Sequence, residues 1–465
     1  MSTSMAPDTS RKEVFWTTVG YGLMILGAVL ALFFVCNYGE TLTAPTTKPV
    51  ASFVQTPSDQ SNVLLHLLVA LTAVIVTGLI LAKWLAYLGQ PPVIGEVLAG
   101  ILLGPSLLGP KVSAIVLPST VAPYLGVIAQ LGVLLYMFTV GLSLHAGRIR
   151  HRARAVVAIS HTSILVPLLL GALLALALYP RLSTNEVSFT SFALFMGVAM
   201  SITAFPVLVR ILVDRGMIQT ELGVIAVSCA ATDDVTAWCL LAFVVGVAKT
   251  RASEGLVVAA ATLTYLSLMV LLVRPILRRV VAQWKTEPLP RSAIAFVFVS
   301  LLLSAFVTEY IGIHAIFGAF LLGAIIPHDS AVACAFTRQL ESVVTVLLLP
   351  AFFAFTGMRT RMDLVSSLDQ WLICGLIILV ATAGKFGGTV LAARLTGLGW
   401  RPAAALGTLM NTRGLMELIV LNVGLDLEVI SPTLFAMMVL MALATTLVAA
   451  PVLQLLMPRA ASEER

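Results

Sequence analysis

The chain has 465 residues, of which 59% are hydrophobic and 11% charged, with a formal net charge of +6. A mean hydropathy of +1.02 excludes an ordinary soluble domain. Apolar runs follow one another almost without pause, and backbone groups in a bilayer must be satisfied within their own segment, so the composition predicts an all-α polytopic membrane protein. The basic residues are scattered through short loops, where they set topology, and do not point to a nucleic-acid partner.

About fourteen membrane segments are predicted by length and apolarity. In chain order they fall near 14–36, 64–86, 93–109, 122–143, 154–179, 189–212, 221–248, 255–281, 292–309, 312–327, 340–357, 368–394, 402–423 and 432–457. The first follows Arg11, Lys12 and Glu13. It is long for a signal peptide and lacks a clear small-residue cleavage site, so it reads as an uncleaved signal-anchor helix. Residues 1–62 then comprise that helix and a Pro/Thr-rich extracytoplasmic loop, residues 63–458 a membrane domain, and residues 459–465 a short cytoplasmic tail with no room for a soluble regulatory domain. An N-terminus in the cytoplasm places the basic stretches 148–154, 210–216 and 274–291 inside, which satisfies the positive-inside rule and makes both termini cytoplasmic. The cysteines, Cys36, Cys229, Cys239, Cys334 and Cys374, lack metal-ligand spacing and read as free.

A weak internal repeat runs through these segments. VIGEVLAGILLGP (93–105) resembles AIFGAFLLGAIIP (315–327), so that Gly95 and Gly100 align with Gly318 and Gly323. FTVGL (138–142) resembles FTGM (355–358) at nearly the same offset. In the predicted topology the two copies run in opposite directions, the arrangement of inverted-repeat transporters that bind substrate near the midplane. Glycine spacing of this kind also serves plain helix packing.

The segment from Gly223 to Ala248 carries two adjacent acids, Asp233 and Asp234, as its only charges. A carboxylate at the centre of a membrane helix costs about 2.5–3.5 kcal/mol on insertion scales, and intramembrane ionisable groups mark ion pathways. Burial and mutual repulsion oppose ionisation of both acids at once. A metal cation and protons are the natural ligands; a pair that merely bridges neighbouring helices is the plainer alternative. Two segments look broken. In 195–212, Pro206 frees backbone carbonyls near Ser201 to Ala204, and Ser201 and Thr203 add hydroxyl oxygens. In 405–423, Asn411, Thr412 and Gly414 interrupt the apolar run. Lys385, deep in another segment, needs a carboxylate partner, and Asp233 or Asp234 is the obvious one. Arg413 and Glu417, spaced i, i+4, read as a structural pair at the second break. Glu96 reads as a packing or gating partner near the start of its helix, and His314 as a loop histidine.

The motifs PPVIGEVLAGILLGPSLLG (91–109), SITAFPVLVRIL (201–212), the acids at 233–234, GIHAIFGAFLLGAIIP (312–327), LLLPAFFAFTGMRT (347–360) and MNTRGLMELIVLNVGLD (410–426) together resemble the monovalent cation/proton antiporter superfamily. Within it they are similar to the plant cation/proton exchanger branch and its bacterial relatives. The resemblance covers about residues 60 to 458. It implies about 13 family helices plus one extra N-terminal helix, two crossed discontinuous helices, and elevator-type alternating access in a homodimer. Core elements are then expected at about 122–248 and 340–457, and dimerisation elements at about 64–109 and 255–327. It implies that Asp234 is the ion-binding acid, that Lys385 pairs with Asp233, and that Thr203 sits at the first crossing; Ser201 joins Asp234, Asp233 and Thr203 as an expected metal ligand. Asp233 departs from the plant pattern, which has Asn there, and the Asp-Asp form implies electrogenic exchange. The missing regulatory tail and the extra first helix are further departures. The expectation is a secondary antiporter, not an enzyme and without a cofactor, that exchanges Na⁺ or K⁺ for protons in a bacterial inner membrane. The alternatives are an exporter of an organic ion or drug, or a non-transporting cation sensor on the same scaffold.

Overall fold

The computed structural model describes residues 8–45, 63–90, 92–104, 109, 113, 116–118, 120–143, 153–249, 252–284 and 288–457. Among them all regular structure is helical, and ten helices are long and apolar enough to cross a membrane. The helices are α1 (Asp8–Gly39), α2 (Val63–Tyr87), α3 (Pro92–Leu103), α4 (Ala122–Leu142), α5 (Ala153–Leu182), α6 (Phe189–Ser201), α7 (Phe205–Asp214) and α8 (Glu221–Lys249). They continue with α9 (252–281), α10 (Arg291–Ile311), α11 (Ala315–Ile325), α12 (331–359), α13 (368–395), α14 (Trp400–Met410), α15 (Leu415–Asp426) and α16 (Pro432–Leu456). Three of them contain π-turns: α9 at Met269–Val273, α12 at Val344–Leu348 and α13 at Ala383–Gly387.

Every expected membrane segment falls on a helix or a pair of half-helices. The largest boundary difference is in α12, which begins at Ala331 rather than near 340. Its first turns, AVACAFTRQLESV, are amphipathic and so escape a search for apolar runs, and Ser330 caps them by accepting from the Ala333 amide at 3.1 Å. The helix expected over 312–327 shrinks to Ala315–Ile325, because Gly312 and His314 take positive φ angles of 100° and 76° and form a turn. The segment expected over 93–109 is helical to Leu103. Loop residues 46–62, the basic stretch 144–152 and the tail 459–465 lie outside the described residues.

The helices divide into two bodies by their packing. One contains α2, α3, α4, α10, α11 and α12; the other contains α5 to α8 and α13 to α16. α9 touches both, packing on α8 and on α10, and α1 lies against α5 and α6. Segments 122–142 and 331–359 therefore pack with α2, α3, α10 and α11, whereas the expected grouping joins 122–143 and 340–357 to the core. The physical reason is a pair of glycine seams. A Cβ on Gly100 would overlap the Phe353 carbonyl and one on Gly357 would overlap the Gly100 backbone, so α3 and α12 touch main chain to main chain. A Cβ on Gly141 would meet the Phe320 carbonyl and one on Gly323 the Phe138 carbonyl, so α4 and α11 do the same.

These seams also bear on the sequence repeat. Under it Gly100 corresponds to Gly323 and Gly141 to Gly357, so the contact of α3 with α12 corresponds to the contact of α11 with α4. Likewise Gly95 is pressed against α2 at Ala82, and its counterpart Gly318 against α10 at Ser304. The second body shows the same duplication as two interrupted helices, α6–α7 and α14–α15, whose breaks cross.

Candidate cation site at the helix crossing

The first break lies between Ser201 and Phe205. Pro206 falls in the first turn of α7, where a missing N–H costs nothing and the fixed φ favours helix initiation. The chain entering it is extended, with Ile202 at φ −71°, ψ 139°. The second break spans Asn411 to Gly414. The breaks bind each other: the Ala204 amide donates to the Thr412 carbonyl at 2.9 Å, and the Thr203 hydroxyl, 3.2 Å from the Met410 carbonyl, shares its one proton between that carbonyl and Asp233. Each interrupted helix thus satisfies part of the backbone that the other exposes, as non-helical backbone at membrane depth requires.

Asp233 and Asp234 project from the middle of α8 and are 0% and 2% exposed. Asp233 is saturated. Its Oδ1 accepts from the Ser160 hydroxyl at 2.6 Å. Its Oδ2 accepts from Ser163 at 2.7 Å, Lys385 Nζ at 3.0 Å and Thr203 at 3.1 Å. Lys385 sits in the π-turn of α13, is fully buried, and donates a second bond of 2.5 Å to the Ser201 carbonyl. The expected ion pair therefore forms with Asp233, at the break and not beside it.

Asp234 stands in contrast, because its buried Oδ2 has no hydrogen-bond partner. A carboxylate oxygen held from water without a donor is costly. An adjacent acid whose partners are all supplied by protein makes Asp234 the one with free ligating capacity.

The Arg413–Glu417 pair forms as the i, i+4 spacing predicts, at 2.8 Å with both side chains buried. Arg413 does more than pair. Its guanidinium donates to the carbonyls of Ala199 at 3.0 Å and Met200 at 2.6 Å, the last turn of α6. Its own amide donates to Thr446 Oγ1 at 2.8 Å. Arg413 Nε, Glu417 Oε1 and Asn411 Oδ1 are buried without protein partners. A small cavity lined by Ile94, Val97, Arg413, Gly414, Leu418 and Thr446 adjoins this pair, between α3 and the second break.

One expected residue is oriented differently from its predicted role. The Ser201 hydroxyl donates to Gly197 and Ile164 carbonyls, so only its main-chain carbonyl faces the Asp233 cluster. Glu96 packs against α2 at Gly78, and no hydrogen bond or ion pair among the described residues joins it to the crossing. His314 lies at the N-terminus of α11 with its Nδ1 4.0 Å from Glu309, also away from the crossing. Sequence reasoning overlooked Ser160, Ser163 and Thr446. The two serines carried a signal, hydroxyls at i, i+3 on one face of an apolar helix. All five cysteines are free, and among the described residues no group of three His, Cys, Asp or Glu could hold a metal ion.

With this geometry in place, comparison with known proteins is decisive. Residues 69–458 match the transmembrane family of sodium/hydrogen exchangers. The chain belongs to that family of membrane antiporters. It is 40% identical over 404 residues to the Na⁺/H⁺ antiporter NhaS4 of Synechocystis, an alignment that covers 86% of this chain and 98% of the relative. It is 36% identical over 406 residues to cation/H⁺ antiporter 20 of Arabidopsis thaliana, covering 84% of this chain and 48% of that protein. The chain thus spans nearly all of the first relative and about half the length of the second. Among solved structures, the sodium proton antiporter MjNhaP1 of Methanocaldococcus jannaschii at pH 8 matches with a TM-score of 0.60 and 16% identity, over 84% of this chain and 96% of that one. That likeness shows the fold. The family's relatives are transporters and not enzymes.

Proposed function

We propose that the chain exchanges Na⁺ or K⁺ for protons, with Asp234 as the acid that binds each in turn. The observation that carries this reading is the contrast between the two acids: Asp233 has four donor groups within hydrogen-bond distance, while Asp234 Oδ2 is buried with no partner. A proton or a monovalent cation relieves that oxygen, and the two compete because one carboxylate serves both. Asp233 and Thr203 add oxygens, as alkali cations require. Ser201 contributes its carbonyl and not its hydroxyl.

Exchange is electrogenic in this proposal. A cation that takes Asp233 as well as Asp234 removes the carboxylate partner of Lys385. Loss of a proton from Asp234 and one from Lys385 then accompanies entry of one cation, so one net charge moves per cycle. The body of α5 to α8 and α13 to α16 carries the site and moves as an elevator against the body of α2 to α4 and α10 to α12, which forms the homodimer contact. The protein lies in a bacterial inner membrane with both termini in the cytoplasm. Glu96 acts as a gating neighbour, beside the cavity that adjoins Arg413. Arg413, paired with Glu417, reaches from the second break to the carbonyls that end α6, and Asn411 is a structural neighbour at the second break.

Proteoliposomes loaded with a pH dye test the assignment. Addition of NaCl or KCl is expected to collapse an imposed pH gradient with the native chain and not with Asp234→Asn. Native-like exchange by that variant removes Asp234 from the role. An imposed membrane potential is expected to drive native exchange, and Asp233→Asn to weaken that response; indifference of the native protein to potential refutes electrogenicity.

A further inference from the structure

The first helix lies outside the matched family region, residues 69–458, yet it is built into the fold. One face of α1 is inward. Ala28, Val35 and Gly39 are buried, and Tyr21, Met24 and Leu32 are partly buried, recurring every three to four residues. The other face presents Leu23, Leu30, Phe33 and Phe34, all largely exposed, as a lipid-facing helix requires. The inward face packs on α5 and α6, both members of the body that carries Asp233 and Asp234.

The contacts are specific at both ends. Tyr21 meets His161 edge to face, with ring centroids 5.5 Å apart, and Met24 Sδ touches the Thr162 hydroxyl at 3.4 Å, whose proton goes to the Ala158 carbonyl at 2.7 Å. At the other end Glu40 accepts from the Thr190 amide at 3.2 Å and hydroxyl at 2.6 Å, at the N-terminus of α6, where a carboxylate complements the helix dipole. A Cβ at Gly39 would overlap the Phe189 ring, so helix and ring fit closely there.

The turn of α5 that α1 touches is the turn that holds Asp233. Residues 160 to 163 alternate around the helix: Ser160 and Ser163 face Asp233, and His161 and Thr162 face α1. We infer that α1 is a positioning element for the cation site, fixing the α5 turn through Tyr21 and Met24 so that Ser160 and Ser163 hold Asp233 in place. The inference rests on the proposed role of the Asp233–Asp234 pair and adds a part to it. As a consequence, α1 travels with the body that carries the site.

The test uses the full chain in proteoliposomes, with NaCl and KCl as the probe cations. Tyr21→Ala combined with Met24→Ala is expected to raise the apparent KM for the cation about threefold, with the maximal rate kept, since the double variant removes only an aromatic edge and a sulfur contact. Tyr21→Phe, which keeps the ring, is expected to behave as the native chain. The KM effect is expected to vanish in a Ser160→Ala, Ser163→Ala background, because α1 acts through those hydroxyls. Tyr21→Ala alone supplies the same test if the double variant fails to fold. An unchanged KM, a fall in protein amount alone, or a KM effect that persists without the two serines overturns the inference. Asp234→Asn is run in parallel: loss of exchange there upholds the site whatever α1 does, and retained exchange refutes the site independently.

Discussion

The two breaks in the crossed helices differ in what closes them. At the first, the carbonyls that end α6 receive cations: Arg413 takes those of Ala199 and Met200, and Lys385 takes that of Ser201. At the second, the freed groups are closed by neutral partners: Thr446, which accepts from the Arg413 amide and donates to the Arg413 carbonyl, with the Ala204 amide and the Thr203 hydroxyl. The negative end of the half-helix dipole is therefore neutralised at the first break only. Two cations placed there also need two acids, Asp233 and Glu417, and that accounts for four of the five buried charges at the crossing. Asp234 is the fifth and has no such partner. Symmetry of backbone has been used to build asymmetry of charge.

The asymmetry makes the cost of a substitution depend on which break it touches. Arg413→Ala strips two carbonyls and leaves Glu417 buried and alone, so thermal unfolding in detergent is expected to show a loss of about 3–5 kcal/mol, the largest of the series. If it melts like the native chain, the first break is not held by charge. Lys385→Ala is expected to be nearly as damaging. Adding Asp233→Asn should restore part of the loss, because no uncompensated charge then remains. A double-mutant cycle that gives no coupling between these two would dissolve the pair. Thr446→Val at the second break removes only neutral hydrogen bonds and is expected to cost about 1 kcal/mol in the same melt. A loss as large as that of Arg413→Ala would erase the distinction between the breaks. Ser201→Ala is expected to do least, about 0.5 kcal/mol with the apparent KM for cation unchanged, because its hydroxyl is spent on helix carbonyls. A raised KM would put that hydroxyl back among the ligands.

Both breaks were legible in the sequence because Pro206 and the Asn411–Gly414 run violate the apolar pattern of a membrane helix. The acids and Lys385 were legible for the same reason, each being a charge where charge is costly. Ser160, Ser163 and Thr446 were not, since hydroxyls are ordinary in membrane helices and only their direction gives them a role. Direction also explains Ser201, whose residue type suited a ligand while its rotamer did not. The grouping of α4 and α12 depended on which backbones touch. The glycines that permit the contact were visible as a repeat, but their partners were fixed by the fold alone.

The π-turn at Ala383–Gly387 sets Lys385 by counting. A π-turn is a helix carrying one residue more than its turns can hold, and such insertions gather at functional sites. Removing one residue from 383–387 would restore an unbroken α-helix with the turns on either side kept in phase. Gly388 would keep its place against Val166 and the Thr162 carbonyl, and Lys385 would lose the bulged position from which it reaches Asp233. The lysine's position is thus written in chain length as well as in residue type. A family member whose corresponding segment is one residue shorter would have to find its cation somewhere else.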